Sequence, residues 1–343
     1  MRTMPIDTEE QLEDRLSHPT AADVEAMRAL QGDVIVLGAG GKMGPSLVRR
    51  MQRASVQSGV KRRIIAVARF SERTLPAQLE ASGIETIASD LMEDDALKRL
   101  PDMPNVVYMA ARKFGTSGAE HLTWAMNTQL PMLVASRYRH SRIVCFSSGN
   151  VYPLLPLHLG GATEDTPVAP VGEYAQSVLG RERIFEHASH RWGTPVALLR
   201  LNYAIDLRYG VLVDIGQKVY RREPVDVRMP AANIIWQGDA NSVCIRCFSH
   251  CQSPPFVLNL TGPETVSTRW IAQEFGRHFK CEPVFTGEEG GSALLSNASK
   301  QHRLFGYPTV TPGEMIDWVA HWIEDGNRLL GKPTHFQTRD GKF

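Results

Sequence analysis

The sequence predicts an α/β fold: a doubly wound parallel sheet with a smaller C-terminal α+β lobe. Three observations lead there. Val34, Ile35, Val36 and Leu37 form an apolar run without alternation, which suits a central strand covered on both faces. A glycine turn follows directly and opens a segment, Lys42 to Gln52, that carries Met43, Leu47, Val48 and Met51 on one helical face. The chain also has 343 residues, enough for a substantial core and two lobes. Strand, glycine turn and helix together form a seat for a diphosphate. Backbone N–H groups and the positive end of the helix converge on one point, and glycine lets the backbone come close to the anion.

Composition excludes several classes. The net charge is +1, which leaves no electrostatic footprint for nucleic acid or an anionic membrane. No apolar run approaches the roughly 20 residues of a membrane span. The stretch up to Leu16 is acidic and has no apolar centre, unlike a secretion signal. Five cysteines scattered through the chain read as free thiols of a reducing, cytoplasmic setting.

Gly38, Gly41 and Gly44 give the spacing G-x-x-G-x-x-G, whereas Gly38 and Gly40 begin the commoner G-x-G-x-x-G, whose last position is Met43 here. The shifted spacing resembles the extended branch of the short-chain dehydrogenase/reductase superfamily, the NAD-dependent epimerase/dehydratase family. The resemblance runs over roughly residues 33–325. It implies a Rossmann-type sheet, with Gly38, Gly40, Gly41, Lys42, Met43 and Gly44 around the cofactor. It further implies an NAD(P)-binding domain (33–202 plus 232–262) and a substrate-binding lobe (203–231 plus 263–343), preceded by a helical N-terminal extension (1–32) that the resemblance does not cover.

The elements follow in order. Residues 7–31 read as two helices, one capped by Asp7 and one by Thr20 with Asp23 at the capping-box position. This extension either covers the sheet edge, the simpler reading, or packs on a neighbouring subunit. Ile64 to Ala68 is the second strand, and its end meets the adenosine ribose. An acid there suits the 2′-hydroxyl of NAD, and an arginine suits the 2′-phosphate of NADP. Arg69 follows the strand with Arg73 beyond, so the cofactor reading leans to NADP, a solvated strand-end charge being the alternative.

Ile84 to Ala88 is the third strand and ends in Ser89, Asp90 and Leu91. The resemblance implies that Asp90 faces the adenine, while the local reading is a cap for a helix from Met92 to Leu100. Asn105 to Ala111 is the fourth strand. Ala110 and Ala111 match small residues beside the cofactor, and Lys113 follows two residues later. A helix over 119–137 carries Asn127, which matches an asparagine that supports the active site through a water; a solvent-facing side chain is the alternative.

Arg142 to Phe146 is the fifth strand, followed by Ser147-Ser148-Gly149-Asn150-Val151-Tyr152, which resembles S-S-x-x-V-Y. Ser148 aligns with the serine that hydrogen-bonds the substrate oxygen. The family's Y-x-x-x-K helix belongs at Glu173 onward, where Tyr174, Ser177 and Glu182 align, but Val178 holds the lysine's place.

Val196 to Leu201 is the sixth strand, and Ile234 to Asp239 returns the chain to the sheet. Ala232 stands where nucleotide-sugar enzymes carry an arginine, with Arg228 four residues earlier, which speaks against a nucleotide-sugar substrate. Cys244, Cys247 and Cys251 share one predicted helix face and read as small apolar residues rather than metal ligands with His250. No metal is expected. Phe256 to Leu260 is a further strand, Thr268 to Phe279 and Pro312 to Asp325 are helices, and Gly287 to Gly291 is a loop between them.

In the resembled family a tyrosine hydroxyl exchanges a proton with the substrate oxygen while hydride moves to or from the nicotinamide. A lysine lowers the tyrosine pKa and grips the ribose. Bringing a tyrosine from about 10 to near pH 7 requires roughly 4 kcal/mol, and Val178 supplies neither charge nor hydrogen bond. Lys113 from the neighbouring strand can take its place, or Arg181, seven residues beyond Tyr174 on the same helix face, can lend charge. Otherwise catalysis is lost and a non-catalytic NAD(P)-binding regulatory protein or subunit remains. The first reading is an NAD(P)-dependent oxidoreductase or epimerase/dehydratase acting on a hydroxylated, carbohydrate-like small molecule. In it Tyr174 is the acid/base, Ser148 orients the oxygen, and Asn127 and Lys113 support them. Pairing of two copies through helices, common in the family, is open.

Overall fold

The computed structural model describes residues 5–113 and 118–342. Its central sheet has strands β1 (Val34–Leu37), β2 (Ile64–Ala68), β3 (Glu85–Ala88), β4 (Asn105–Tyr108), β5 (Arg142–Ser148), β6 (Val196–Leu201) and β7 (Phe256–Leu260). All seven run parallel in the spatial order β7-β6-β5-β4-β1-β2-β3. The winding direction reverses between β1 and β4, and the crevice beyond the carboxyl ends of strands at such a point is where doubly wound sheets bind ligands. Leu37 is level with both Val67 and Tyr108, so the loops leaving β1, β2 and β4 share one rim.

Alternation along β1 feeds two cores. Val34 and Val36 pack with Leu47, Val48 and Met51 on one face. Ile35 and Leu37 pack with Val134, Phe185 and Leu198 on the other. The principal helices are α1 (Glu9–Ser17), α2 (Ala21–Ala29), α3 (Gly44–Ser58), α4 (Gly172–Trp192), α5 (Val211–Tyr220), α6 (Gln237–Arg246), α7 (Thr268–His278) and α8 (Pro312–Glu324). Residues of α5, α7 and α8 build a further apolar cluster around Trp236, Phe275, Trp318 and Trp322. No helix among the described residues is long and apolar enough to cross a membrane.

Several local expectations change. The N-terminal extension lies on helices rather than on a sheet edge: α2 packs on α3 and α6, and α1 on α3. Apolar burial and charge both hold it there, with Leu12, Leu16 and Met27 fully buried. The outer face of α3 carries Arg49, Arg50 and Arg53, and Glu13, Asp14 and Asp23 of the extension pair with them. Thr8, not Asp7, caps α1, with Gln11 completing the capping box. Asp7 pairs instead with His321 at 2.9 Å.

β4 ends at Tyr108 rather than at Ala111, because the chain leaves the sheet to turn over the crevice. The expected helix from Met92 shrinks to Ala96–Arg99; the Asp90 carboxylate accepts from the Met92 N–H at 3.0 Å and closes a turn instead. α6 stops at Arg246, so Cys244 and Cys247 are buried in the core while Cys251 lies past the helix. His250 stacks on the Phe256 ring.

Candidate active site

The glycine turn is shaped by two close approaches. Gly38 has φ +92°, and a Cβ there would come within 2.6 Å of the Ala110 nitrogen, so the ends of β1 and β4 touch through glycine. A Cβ on Gly44 would collide with the Ala39 backbone where α3 begins. Gly41 differs: the nearest neighbour of an added Cβ is the Gly38 oxygen at 3.5 Å, an ordinary contact. Its bare surface lines a cleft of about 1030 Å³, an open cradle of the kind a diphosphate fills.

Gly38, Gly40, Gly41, Lys42 and Met43 form one wall of this cleft, with Ala111 and Lys113 beside them. Ala110 lies against Gly38, and Leu91 is buried beneath in the core. At the far end of β2 the Arg69 side chain is 71 % exposed and 3.7 Å from Asp90. Ser71 and Glu72 line the cleft there instead. The sequence reading passed over Glu72, although an acid three residues beyond Arg69 was its available signal.

Ser148 ends β5 and Tyr174 lies in the first turn of α4, and both side chains line the cleft. Ser148 Oγ donates to Asn150 Oδ1 at 2.8 Å. Burial raises the Tyr174 pKa, opposed by the Arg181 charge and by the Ser148 hydroxyl. Val178 is fully buried with Val151, Tyr152 and Tyr174, an apolar setting with no role for a charge.

Both candidate cations converge on this point. Lys113 Nζ lies 5.7 Å from the centre of the Tyr174 ring, and burial pulls its pKa down to about 8 against the attraction of Asp214. Arg181 is buried, donating from Nη1 to the Phe146 carbonyl at 2.9 Å and from Nη2 to Asn127 Oδ1 at 2.7 Å. Asn127 faces inward, not solvent. It sits in a π turn, Ala125–Gln129, within the helical stretch from Glu120 to Arg137. Its Nδ2 donates to the Arg112 carbonyl (3.1 Å) and to Ser177 Oγ (2.9 Å), and its Oδ1 accepts from the Arg112 N–H (3.1 Å). One buried amide thus ties α4 to the segment that carries Lys113.

Beneath the Ser147–Tyr152 turn, Glu182 takes hydrogen bonds from Ser147 and Arg200, and Arg200 Nη1 donates to the Tyr152 hydroxyl at 2.7 Å. Ala232 is buried in a two-residue strand, and Arg228 turns out to Asp226 at 2.6 Å, outside the cleft lining. Sequence reasoning also missed Tyr209 and Lys332. Lys42 Nζ stands 2.9 Å from the centre of the Tyr209 ring, on the opposite wall. Burial, together with repulsion from Lys113 and Lys332, lowers its pKa to about 7.

A doubly wound parallel sheet with an open glycine cradle at its switch point defines the class, a nucleotide-binding α/β protein. Residues 34–204 match the model of the NAD dependent epimerase/dehydratase family, and through this domain the chain belongs to that family of enzymes. No curated protein sequence matches it. Among solved structures it is similar to UDP-glucuronic acid 4-epimerase from Bacillus cereus in complex with UDP-glucuronic acid and NAD. That match has 16% identity, 85% of this chain and 99% of the other covered, and a TM-score of 0.71. It is also similar to UDP-glucose 4-epimerase from Thermotoga maritima (14% identity, 86% and 99% covered, TM-score 0.68). A third similar structure is an epimerase from Methanothermobacter thermautotrophicus (17% identity, 90% and 97% covered, TM-score 0.72). At these identities the likeness is one of fold.

Proposed function

We propose that this enzyme is an NAD(P)-dependent oxidoreductase or epimerase/dehydratase acting on a hydroxylated, carbohydrate-like small molecule. The observation that carries the reading is the placing of Ser148 and Tyr174, with Lys113 beside the ring, in the same cleft as the glycine cradle. A bound nicotinamide dinucleotide supplies the hydride acceptor or donor. Ser148 orients the substrate hydroxyl, and Tyr174 takes or returns its proton. Lys113 and Arg181 stabilise the phenolate, doing from two other positions what Val178 cannot. Asn127 holds both cations in place. Gly38, Gly40, Gly41, Lys42, Met43 and Gly44 hold the diphosphate, Ala110 and Ala111 leave room for the nicotinamide half, and Asp90 with Leu91 flanks the adenine.

Arg69 supports NADP only weakly, since it turns to Asp90, whereas Glu72 in the cleft would accept from a ribose 2′-hydroxyl and repel a 2′-phosphate. The balance moves to NAD. The sugar portions named for the similar epimerases support a carbohydrate-like substrate, while the outward Arg228 speaks against the nucleotide portion. The further apolar cluster, around α5, α7 and α8, would be the substrate lobe. Five free cysteines support a reducing cytoplasm, and exposed Leu122 and Leu133 support pairing of two copies through that helix.

The test is reduction of NAD or NADP by a panel of sugars and sugar acids, with the Tyr174→Phe variant as control. Turnover that survives that substitution overturns the assignment. Tight cofactor binding without turnover on any member would favour the non-catalytic regulatory reading.

A further inference from the structure

The N-terminal extension precedes the matched domain, which begins at residue 34, and it is built into both halves of the molecule. Ile6, Leu12 and Leu16 are buried in the apolar cluster around α5, α7 and α8. Met27 and Leu30 are buried in the core that holds Val34, Leu47 and Val48. Ion pairs mark both ends: Asp7 meets His321 of α8 at 2.9 Å, and Asp23 meets Arg50 of α3 at 2.6 Å.

Between these anchors α1 passes along the cleft. Glu9, Glu10 and Glu13 line it together with Gly40 and Gly41 of the cradle. Glu13 uses both carboxylate oxygens. Oε2 accepts from Arg49 Nη1 at 2.6 Å, and Oε1 lies 2.8 Å from Arg208 Nη1. Arg49 stands on α3, the helix that opens at Gly44 of the cradle, whereas Arg208 stands beyond β6, three residues before α5. Arg208 is fixed from behind: its Nε and Nη2 donate to Asp206 at 3.0 and 2.6 Å. Glu9 adds a looser link, 3.6 Å from Arg208 and 3.7 Å from Arg328. One carboxylate therefore joins the nucleotide-binding half to the other half at the edge of the cleft. The Glu13 side chain keeps 24 % exposure and that of Arg208 11 %, so water competes for the pair, whereas Leu12 and Leu16 are fully buried.

We propose that α1 is a strap over the cofactor entrance, and that parting of Glu13 from Arg208 governs how fast the nicotinamide dinucleotide enters and leaves. This rests on the nicotinamide-dependent reading of the cleft. It concerns the traffic of the cofactor and not its seat, because Glu13 is no part of the cradle. A gate away from the seat changes entry and release by the same factor and leaves the equilibrium alone. The full chain is mixed with NADH or NADPH in a stopped-flow fluorimeter, and the bound cofactor is then displaced by excess oxidised form; calorimetry gives the affinity. Glu13→Gln removes the charge that spans the two arginines, and Glu13→Asp is too short to reach both. Glu10→Gln removes the same charge from an exposed position on the same helix. In both Glu13 variants entry and release should each quicken by about fivefold or more, with affinity within about twofold of the wild type. Glu10→Gln should match the wild type. Unchanged rates in the Glu13 variants, faster release without faster entry, or an equal effect of Glu10→Gln overturns the strap while the cofactor reading stands. Failure of the wild type to bind either dinucleotide overturns the cofactor reading, and the strap with it.

Discussion

Tyr174 is a phenol whose burial raises its pKa above its usual value near 10. The buried Arg181 charge, seven residues along the helix, opposes that. Tyr174→Phe should lower kcat by about two to four orders of magnitude, the usual worth of a positioned proton-transfer group, with the melting temperature nearly unchanged. Lys113→Met should move the rising, acid-side limb of the pH–rate profile for substrate oxidation to higher pH, because the phenolate loses a partner; an unshifted limb would assign that work to Arg181. Val178→Lys introduces an ammonium among Val151, Tyr152 and Tyr174. It should destabilise the protein by about 1–3 kcal/mol in urea unfolding and leave turnover no higher, whereas a gain in turnover would revive the non-catalytic reading. Asn127 illustrates what a residue-by-residue reading can and cannot see. Its identity was legible at position 127, but its partners lie on three other segments, so burial was invisible until the chain folded.

At the scale of elements, most strands were legible because they are rich in apolar residues, and β1, β2, β6 and β7 appear where those runs are. Their ends were less legible, since a strand stops where the backbone must turn over the crevice, as at Gly38 and after Tyr108. The helix after Asp90 failed for a local reason: its carboxylate satisfies a turn, and Asp95 at φ +60° begins the helix late. The extension failed for a distant one. Arg50 Nη2 lies 2.6 Å from Asp23 Oδ2 with both side chains buried, and Ser242 Oγ of α6 donates to Asp23 Oδ1 at 2.5 Å. Asp23→Asn leaves the Arg50 charge buried without its counterion. It should cost about 3–5 kcal/mol of unfolding free energy, measured by denaturant titration; a loss below about 1 kcal/mol would mean that α2 is only loosely joined to α3.

Across the whole molecule, cations from three distant segments meet in one cleft, and stability should report it. Lys42 and Lys113 are held at about 7 and about 8, below the 10.5 of the unfolded chain. Between those folded values and about pH 10.5 the unfolded state binds more protons, so these groups make stability rise with pH. The cofactor-free protein should therefore gain melting temperature from pH 7 to pH 9.5, and Lys42→Met with Lys113→Met should flatten that slope. A wild-type slope equal to that of the double variant would remove the cluster. Ligation by an anion restores the lysine charges, so binding near pH 8 should take up protons, read from calorimetry in buffers of different ionisation enthalpy.

The sequence by itself determined the sheet and its glycine turn. Apolar runs and a glycine at positive φ are properties of a few adjacent residues, and no distant contact is needed to recognise them. Only the tertiary structure decided which cations stand by Tyr174, that Glu72 rather than Arg69 faces the cleft, and that the extension lies on α3. Each of these depends on side chains from separate segments meeting across a low-dielectric interior, where charge and burial act through distance in space rather than along the chain.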